Sequence, residues 1–335
     1  MKERFSPNKF RQTRLTLVLI SLLSIASIAL CQTLPNTNAQ KAPIAIDTLN
    51  KNRLKTTLFV GGTTYVLGST GLYLAWYKDY PRSGFHFFDD YGQWSHMDKV
   101  GHMYSTYGQS ELLYKGFRWT GLNEDRAILY GLATSLLFQS TIEVMDGFST
   151  EWGFSWTDFG ANLIGAAAFG MQQNAWGEQR LRLKFSASPV DYSVDISGSQ
   201  YLLDRSQSLF GSNGLEKLLK DYNGQTYWLS VNPHSFTRKD TWIPEWMNIA
   251  FGYGVSNMLG GNDNIWEQGG ELINLNSEFQ RYQQYYFSLD ADLSKVNTNS
   301  KFWRTLLDIL NYIKLPFSTI EINTLGQVKF HILHF

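Results

Sequence analysis

The stretch FGANLIGAAAFGMQQNAWG (residues 159–177) carries no charge, and RLRLKF (residues 180–185) follows it almost at once, alternating basic and apolar residues strictly. The first segment reads as a helix. Small residues recur four apart at Ala161/Gly165 and Ala166/Gly170, a spacing that lets helix backbones approach closely. The second reads as a half-exposed strand, because successive strand side chains point to opposite faces. The chain therefore changes character near residue 178.

Upstream of that change, Thr56–Tyr77 and Ala127–Ile142 are also free of charge. The first has the length that crosses a bilayer, about 20 residues. Two readings stay open: helices in contact with a membrane, or a compact soluble bundle with unusually apolar helices. Trp94, Trp152, Trp156 and Trp176 lie near the ends of these runs, as membrane-interface or ordinary rim residues. Downstream, Asn223-Gly224 is a turn signal before Thr226–Val231. Tyr285, Phe287, Leu289, Ala291 and Leu293 alternate with polar neighbours and Tyr286. Residues 301–314 switch to helical spacing, with Phe302, Leu306, Ile309 and Ile313 on one face and Pro316 as the stop. Ile320 and Ile322 face Val328, Phe330 and Ile332 across a turn near Gly326. The predicted class is α+β. An apolar helical bundle over residues 51–178 precedes an antiparallel β-rich region over 179–335 with one or two packed helices. The terminal Phe335 reads as a core aromatic, since too few strands are visible for a closed barrel.

The first 31 residues have the order of a secretory signal peptide. Lys2, Arg4, Lys9, Arg11 and Arg14 oppose only Glu3, Leu15–Leu30 is apolar or uncharged, and small residues flank Leu30. Either cleavage removes Cys31 or Cys31 is lipidated, although Leu30 is not the small residue a lipoprotein site wants. Loss of residues 1–31 removes five basic residues and one acidic, leaving 24 and 28, a net charge of −4. Residues 32–50 read as a flexible spacer.

Composition narrows the classes further. Of the 335 residues 43% are apolar, 15% aromatic and 17% charged, against about 25% charged in an average soluble domain. Such a chain can bury a core, which excludes disorder. Twenty-nine basic residues balance 29 acidic ones, so no electrostatic footprint for nucleic acid exists. A single cysteine excludes a disulfide framework and a cysteine zinc site. No nucleophile elbow, P-loop or dinucleotide fingerprint is present.

Three polar clusters interrupt the apolar half. Asp98-Lys99-x-x-His102 places all three side chains on one helical face. Glu143-x-x-Asp146-Gly147 follows sixteen uncharged residues, and Asp158-x-x-x-Asn162-x-x-Gly165 opens the next uncharged run. Charges at the ends of greasy helices must be paired, hydrated or protonated. A shared pocket of Asp98, Lys99, His102, Glu143, Asp146, Asp158 and Asn162 is the simplest expectation. It can serve as a structural network centred on Lys99. It can hold a divalent metal through His102, Glu143, Asp146 and Asp158, donors that suit zinc or manganese. It can also run acid–base chemistry with His102 and Glu143 as candidate catalytic residues, or bind an anionic headgroup. Asp89-Asp90 and Asp290-x-Asp292 read as solvated carboxylates rather than calcium ligands, and His331 and His334 show no partner.

The segments Asp98-Lys99-Val100-Gly101-His102, Glu143-Val144-Met145-Asp146-Gly147 and Asp158-Phe159-Gly160-Ala161-Asn162 resemble a periplasmic family, domain of unknown function 2279 (DUF2279). They are more distantly similar to VanZ-like membrane proteins, where a glutamine stands at the position of Asp146. Residues 220–228 (KDYNGQTYW) resemble longer members of the same family. The resemblance implies an envelope location, in the periplasm or at the outer membrane, and no assigned activity. The expected protein is an exported, membrane-associated binding or structural protein with a polar pocket between helices. Its expected partners are membrane lipid or an envelope component. The alternative is an envelope enzyme acting on a lipid-linked or cell-wall substrate through a His/carboxylate or metal site.

Overall fold

The computed structural model describes residues 48–78, 80–194, 199–237 and 241–335. The signal-peptide reading, Cys31 and nearly all of the spacer lie outside the described residues. The chain divides into two units. One comprises Met1–Asp89 and Ser105–Ala175, the other Asp90–Tyr104 and Trp176–Phe335.

The first unit is helical. Helix α1 (Lys51–Leu72) starts where the Asn50 carboxamide accepts from the amides of Asn52 and Arg53, and it runs on as one π turn to Tyr77. Helix α2 (Met97–Trp119) begins in the second unit and continues without a break into the first. Helix α3 (Glu124–Gly147) is capped by Asn123, with Glu124 and Asp125 in its first turn facing the positive end of the helix dipole. Helix α4 (Trp156–Trp176) is capped by Ser155, whose hydroxyl accepts from the Asp158 amide at 3.0 Å.

Small residues set the packing of these helices. The Ser110 and Ser135 hydroxyls meet at 2.7 Å between α2 and α3. A Cβ on Gly131 would stand only 3.0 Å from the Tyr114 nitrogen and 3.1 Å from the Ser110 carbonyl, so backbone touches backbone there. A Cβ on Gly170 of α4 would meet Leu132 of α3 at 2.8 Å. Tyr65 of α1 reaches Thr141 of α3 at 2.8 Å. The outward faces are apolar. Phe59, Leu129, Leu137, Ile164 and Met171 are all well over half exposed, and α3 is long and apolar enough to cross a membrane by length and composition.

The second unit is built on a six-stranded antiparallel sheet. Its strands are β1 (Leu181–Ala187), β2 (Gln225–Val231), β3 (Met247–Ser256), β6 (Tyr282–Ala291), β7 (Phe317–Asn323) and β8 (Val328–His334), in the order β1-β2-β3-β6-β7-β8. The expected hairpin across the turn near Gly326 is observed, with Ile320 paired to Phe330 and Ile322 to Val328. Helices α5 (Ser199–Phe210) and α6 (Gly214–Lys220) fill the β1–β2 connection. A small hairpin, β4 (Ile265–Gln268) with β5 (Glu271–Asn274), fills the β3–β6 connection. These connections hold the unit's main apolar core: Tyr192, Leu202, Phe210, Leu259, Trp266, Ile273 and their neighbours.

The sheet itself is inverted. Across its strands the register aligns Leu183, Leu229, Phe251, Phe287, Ile320 and Phe330 in one row on one face. Of these, Phe251, Phe287 and Phe330 are 50%, 47% and 68% exposed. The next row, on the other face, is Lys184, Trp228, Gly252, Tyr286, Glu321 and Lys329. That face buries polar groups. Lys184 and Asp290 are fully buried and 2.7 Å apart, and Lys184 also donates to the Ala291 carbonyl at 2.7 Å. Ser230 donates to Asp290 at 2.6 Å.

Four expectations are corrected here. Helix α7 (Lys301–Leu310) stops short of Ile313. Asn311 is drawn off to bond Asp292 at 2.8 Å, and Tyr312 and Lys314 bond the free edge of β1 through Phe185. Phe335 is half exposed rather than a core aromatic. Asp290 and Asp292 are buried rather than solvated, and His331 does have a partner, Glu321 at 2.7 Å.

Candidate functional site

The start of α2 is fixed by an ion-pair knot inside the second unit. Trp94, Ser95 and His96 take left-handed backbone conformations (φ 51°, 49° and 64°) immediately before the helix. Such conformations are costly for residues with a Cβ and persist where the surroundings impose them. Here the Trp94 amide donates to the Gly261 carbonyl at 2.7 Å and the Tyr253 hydroxyl donates to the Ser95 carbonyl at 2.6 Å. The turn delivers Lys99 to a point 2.7 Å from Asp90 and 2.8 Å from Asp98. Burial pushes the Asp98 carboxyl above its usual range, and the adjacent Lys99 ammonium pulls it partly back. Of the seven predicted pocket residues, Asp98 and Lys99 thus pair with each other. Asp90, read from sequence as a solvated carboxylate, is the third member of the knot.

Within the first unit, Glu143 and Asp158 are 1% and 6% exposed, and their carboxylate oxygens lie within 4.8 Å. They come from the C-terminal part of α3 and the first turn of α4. Two ionised carboxylates at that separation repel by roughly 3–4 kcal/mol at an effective dielectric constant near 20. One turn further along α4, the Asn162 side-chain oxygen accepts from the Thr106 hydroxyl at 2.8 Å, both residues buried. Asp146 is bonded differently: the Tyr77 hydroxyl donates to it at 2.7 Å.

Within the first unit, helices α2 and α3 run antiparallel, with Ser110 beside Ser135 and Tyr114 beside Gly131, and helices α2 and α4 run parallel, with Thr106 bonded to Asn162 and Tyr114 to Gln173. His102, the last of the predicted pocket residues, belongs to the second unit.

Sequence reasoning missed Tyr77, Thr106, Asp90 and the Ser110–Ser135 contact. Thr106 had a signal, standing four residues after His102 on the same face. Tyr77 and Asp90 had none, since each meets its partner only through the tertiary fold.

These elements define an α+β protein whose apolar helices carry buried, converging ionisable groups. Residues 86–174, spanning α2 to nearly the end of α4, match the family model DUF2279, described as a predicted periplasmic lipoprotein. That description supports an exported, envelope-associated protein. No curated protein and no solved structure matches the chain.

Proposed function

We propose that this is a membrane-associated envelope protein that binds a divalent cation within its helical bundle. Glu143 of α3 and Asp158 of α4 are the ligands, and Thr106 and Asn162 fix the register of α2 against α4. The observation that carries this reading is the buried pair Glu143 and Asp158, with oxygens within 4.8 Å. Adjacent carboxylates in a greasy setting are suited to hold a cation between them. Carboxylate oxygens suit Mn2+ and also bind Zn2+. Asp146 stands outside the ligand set because its oxygen is engaged by Tyr77. Membrane lipid or another envelope component is the partner that the exposed apolar helix faces fit.

The test is metal content after equilibration with Zn2+ or Mn2+ and gel filtration. The wild-type chain is expected to retain one ion. Glu143→Gln and Asp158→Asn are expected to lose it while Asp146→Asn keeps it. A wild-type chain without bound metal, or Glu143 and Asp158 variants that still bind it, overturns the proposal.

A further inference from the structure

We infer that the β-sheet of the second unit docks on a lipid bilayer by its exposed apolar face, lying on one leaflet rather than crossing both. The inference rests on the membrane association proposed above and does not depend on the cation site.

An ordinary half-buried sheet turns its apolar face to the core and its polar face to water. This one does the reverse. Its inner face encloses the Lys184–Asp290 ion pair with Ser230 and Asn248, all at or near zero exposure. The inner groups are satisfied by one another: Asn248 donates to Ser230 at 2.9 Å, and Ser230 to Asp290 at 2.6 Å. The roll is held by the β1 edge, where Phe185 donates to Tyr312 at 3.0 Å and accepts from Lys314 at 2.9 Å. Meanwhile the unit's largest apolar cluster sits in the connections, and the inner face adds only the smaller cluster of Trp228, Ala250 and Tyr286.

The outer face carries no charge over β3, β6 and β7. Phe251, Phe287, Leu289, Ile320 and Ile322 are each 42–53% exposed. Scattered exposed apolar residues are ordinary, but a continuous patch of this kind marks an interaction surface. Apolar-outside with polar-inside is the pattern of sheets that face lipid. The same chain carries α3, whose length and composition suit a membrane, which favours lipid over a protein partner.

Dimensions decide between crossing and docking. The exposed outer apolar positions on β6 run from Tyr285 to Leu289, about 14 Å at roughly 3.4 Å per residue. A lipid-facing barrel wall needs an apolar band about 25 Å tall. The outer edge of β8 also pairs with no strand among the described residues, and an open edge is not tolerated inside hydrocarbon. Lying face-down on one leaflet leaves that edge at the headgroup level, where water satisfies it. Helix α7 adds exposed Phe302 and Trp303, side chains suited to the same interfacial depth.

The test uses the full chain with Cys31→Ser, which removes its one cysteine. Single cysteines at Phe287, Ile320 or Ile322 (outer face), Ser288 (inner face) and Gln207 (a connection) carry an NBD fluorophore. The protein is bound to phosphatidylethanolamine–phosphatidylglycerol vesicles, some containing lipid with a nitroxide on the upper acyl chain. Outer-face labels are expected to shift to the blue and to lose most of their emission to the nitroxide lipid but not to aqueous iodide. Ser288 labels are expected to respond to neither quencher, and Gln207 labels to iodide only. Outer-face labels quenched by iodide with vesicles present overturn the inference. Outer-face labels shielded from both quenchers, in an oligomer that Phe287→Asp disperses, overturn it too and assign the face to a second copy. A Phe287→Asp chain that folds, judged by circular dichroism, but no longer floats with vesicles supports it independently.

Discussion

Glu143→Gln separates a cation site from a structural network because the two give opposite signs. The carboxylate oxygens of Glu143 and Asp158 are at most 4.8 Å apart. At an effective dielectric constant near 20, two unit charges at that distance repel by about 3.5 kcal/mol. The amide keeps the shape of Glu143 and removes its charge. In chelator at neutral pH the variant is therefore expected to be more stable than wild type, by about 1–3 kcal/mol once the lost hydrogen bonding of the carboxylate is set against the relieved repulsion. With Zn2+ or Mn2+ at about a hundred times the dissociation constant, the wild type gains about 2.7 kcal/mol and the variant nothing, so the order reverses or closes. Urea titrations in detergent, followed by helical circular dichroism with chelator and with metal, read both numbers. If Glu143→Gln is destabilising by several kcal/mol in chelator and metal shifts neither midpoint, Glu143 belongs to a structural network and the reasoning fails.

Other expectations are independent of the cation. Asp290→Ala strands the Lys184 ammonium at zero exposure and is expected to cost about 3–5 kcal/mol, whereas the double change Lys184→Met/Asp290→Leu is expected to recover most of it; a double-mutant cycle in urea checks this, and additive losses contradict it. Gly131→Ala drives a methyl to 3.0 Å from the Tyr114 nitrogen and is expected to cost about 1–3 kcal/mol by forcing α2 and α3 apart, visible as a lowered thermal midpoint. Asp221 is buried, which raises its carboxyl above the ordinary range although Tyr192 donates to it at 2.8 Å. A raised folded value means that stability is greatest below the unfolded carboxylate range and falls as pH rises through the raised value. Tyr192→Phe removes that donor and is expected to deepen the fall; stability curves between pH 4 and 8, of equal slope in both proteins, refute the assignment.

Much of the helical half was legible because its signals are local. The uncharged runs Ala127–Ile142 and 159–177 lie almost wholly within helices α3 and α4, and Ala161, Gly165, Ala166 and Gly170 lie on the buried side of α4 as their four-residue spacing required. The registers of the first unit's helices were less accessible. They follow from Ser110 meeting Ser135 and Thr106 meeting Asn162, and of these four only Asn162 was singled out by its place in the sequence. Asp146 was grouped with Glu143 on spacing alone, and its hydrogen-bond partner Tyr77, 69 residues away, carried no sequence signal.

The sheet shows a deeper limit of pattern reading. A period of two states that strand faces differ but not which one is inside. Phe287 alternating with Ser288 and Tyr286 is compatible with either orientation, and the usual assumption that the apolar face is the core made Phe335 a core aromatic and Asp290 a solvated loop carboxylate. One datum in the sequence argued otherwise. Lys184 lies in RLRLKF, where basic residues occupy every second position, and a strand that turns such residues inward must supply acids to meet them. Asp290 and Asp292 are those acids, at 2.7 Å from Lys184 and 3.6 Å from Arg182. Basic alternation on one strand matched by acidic alternation on another is thus a sequence signature for a polar interior. Where it occurs, the apolar residues between the charges are the ones to test against lipid.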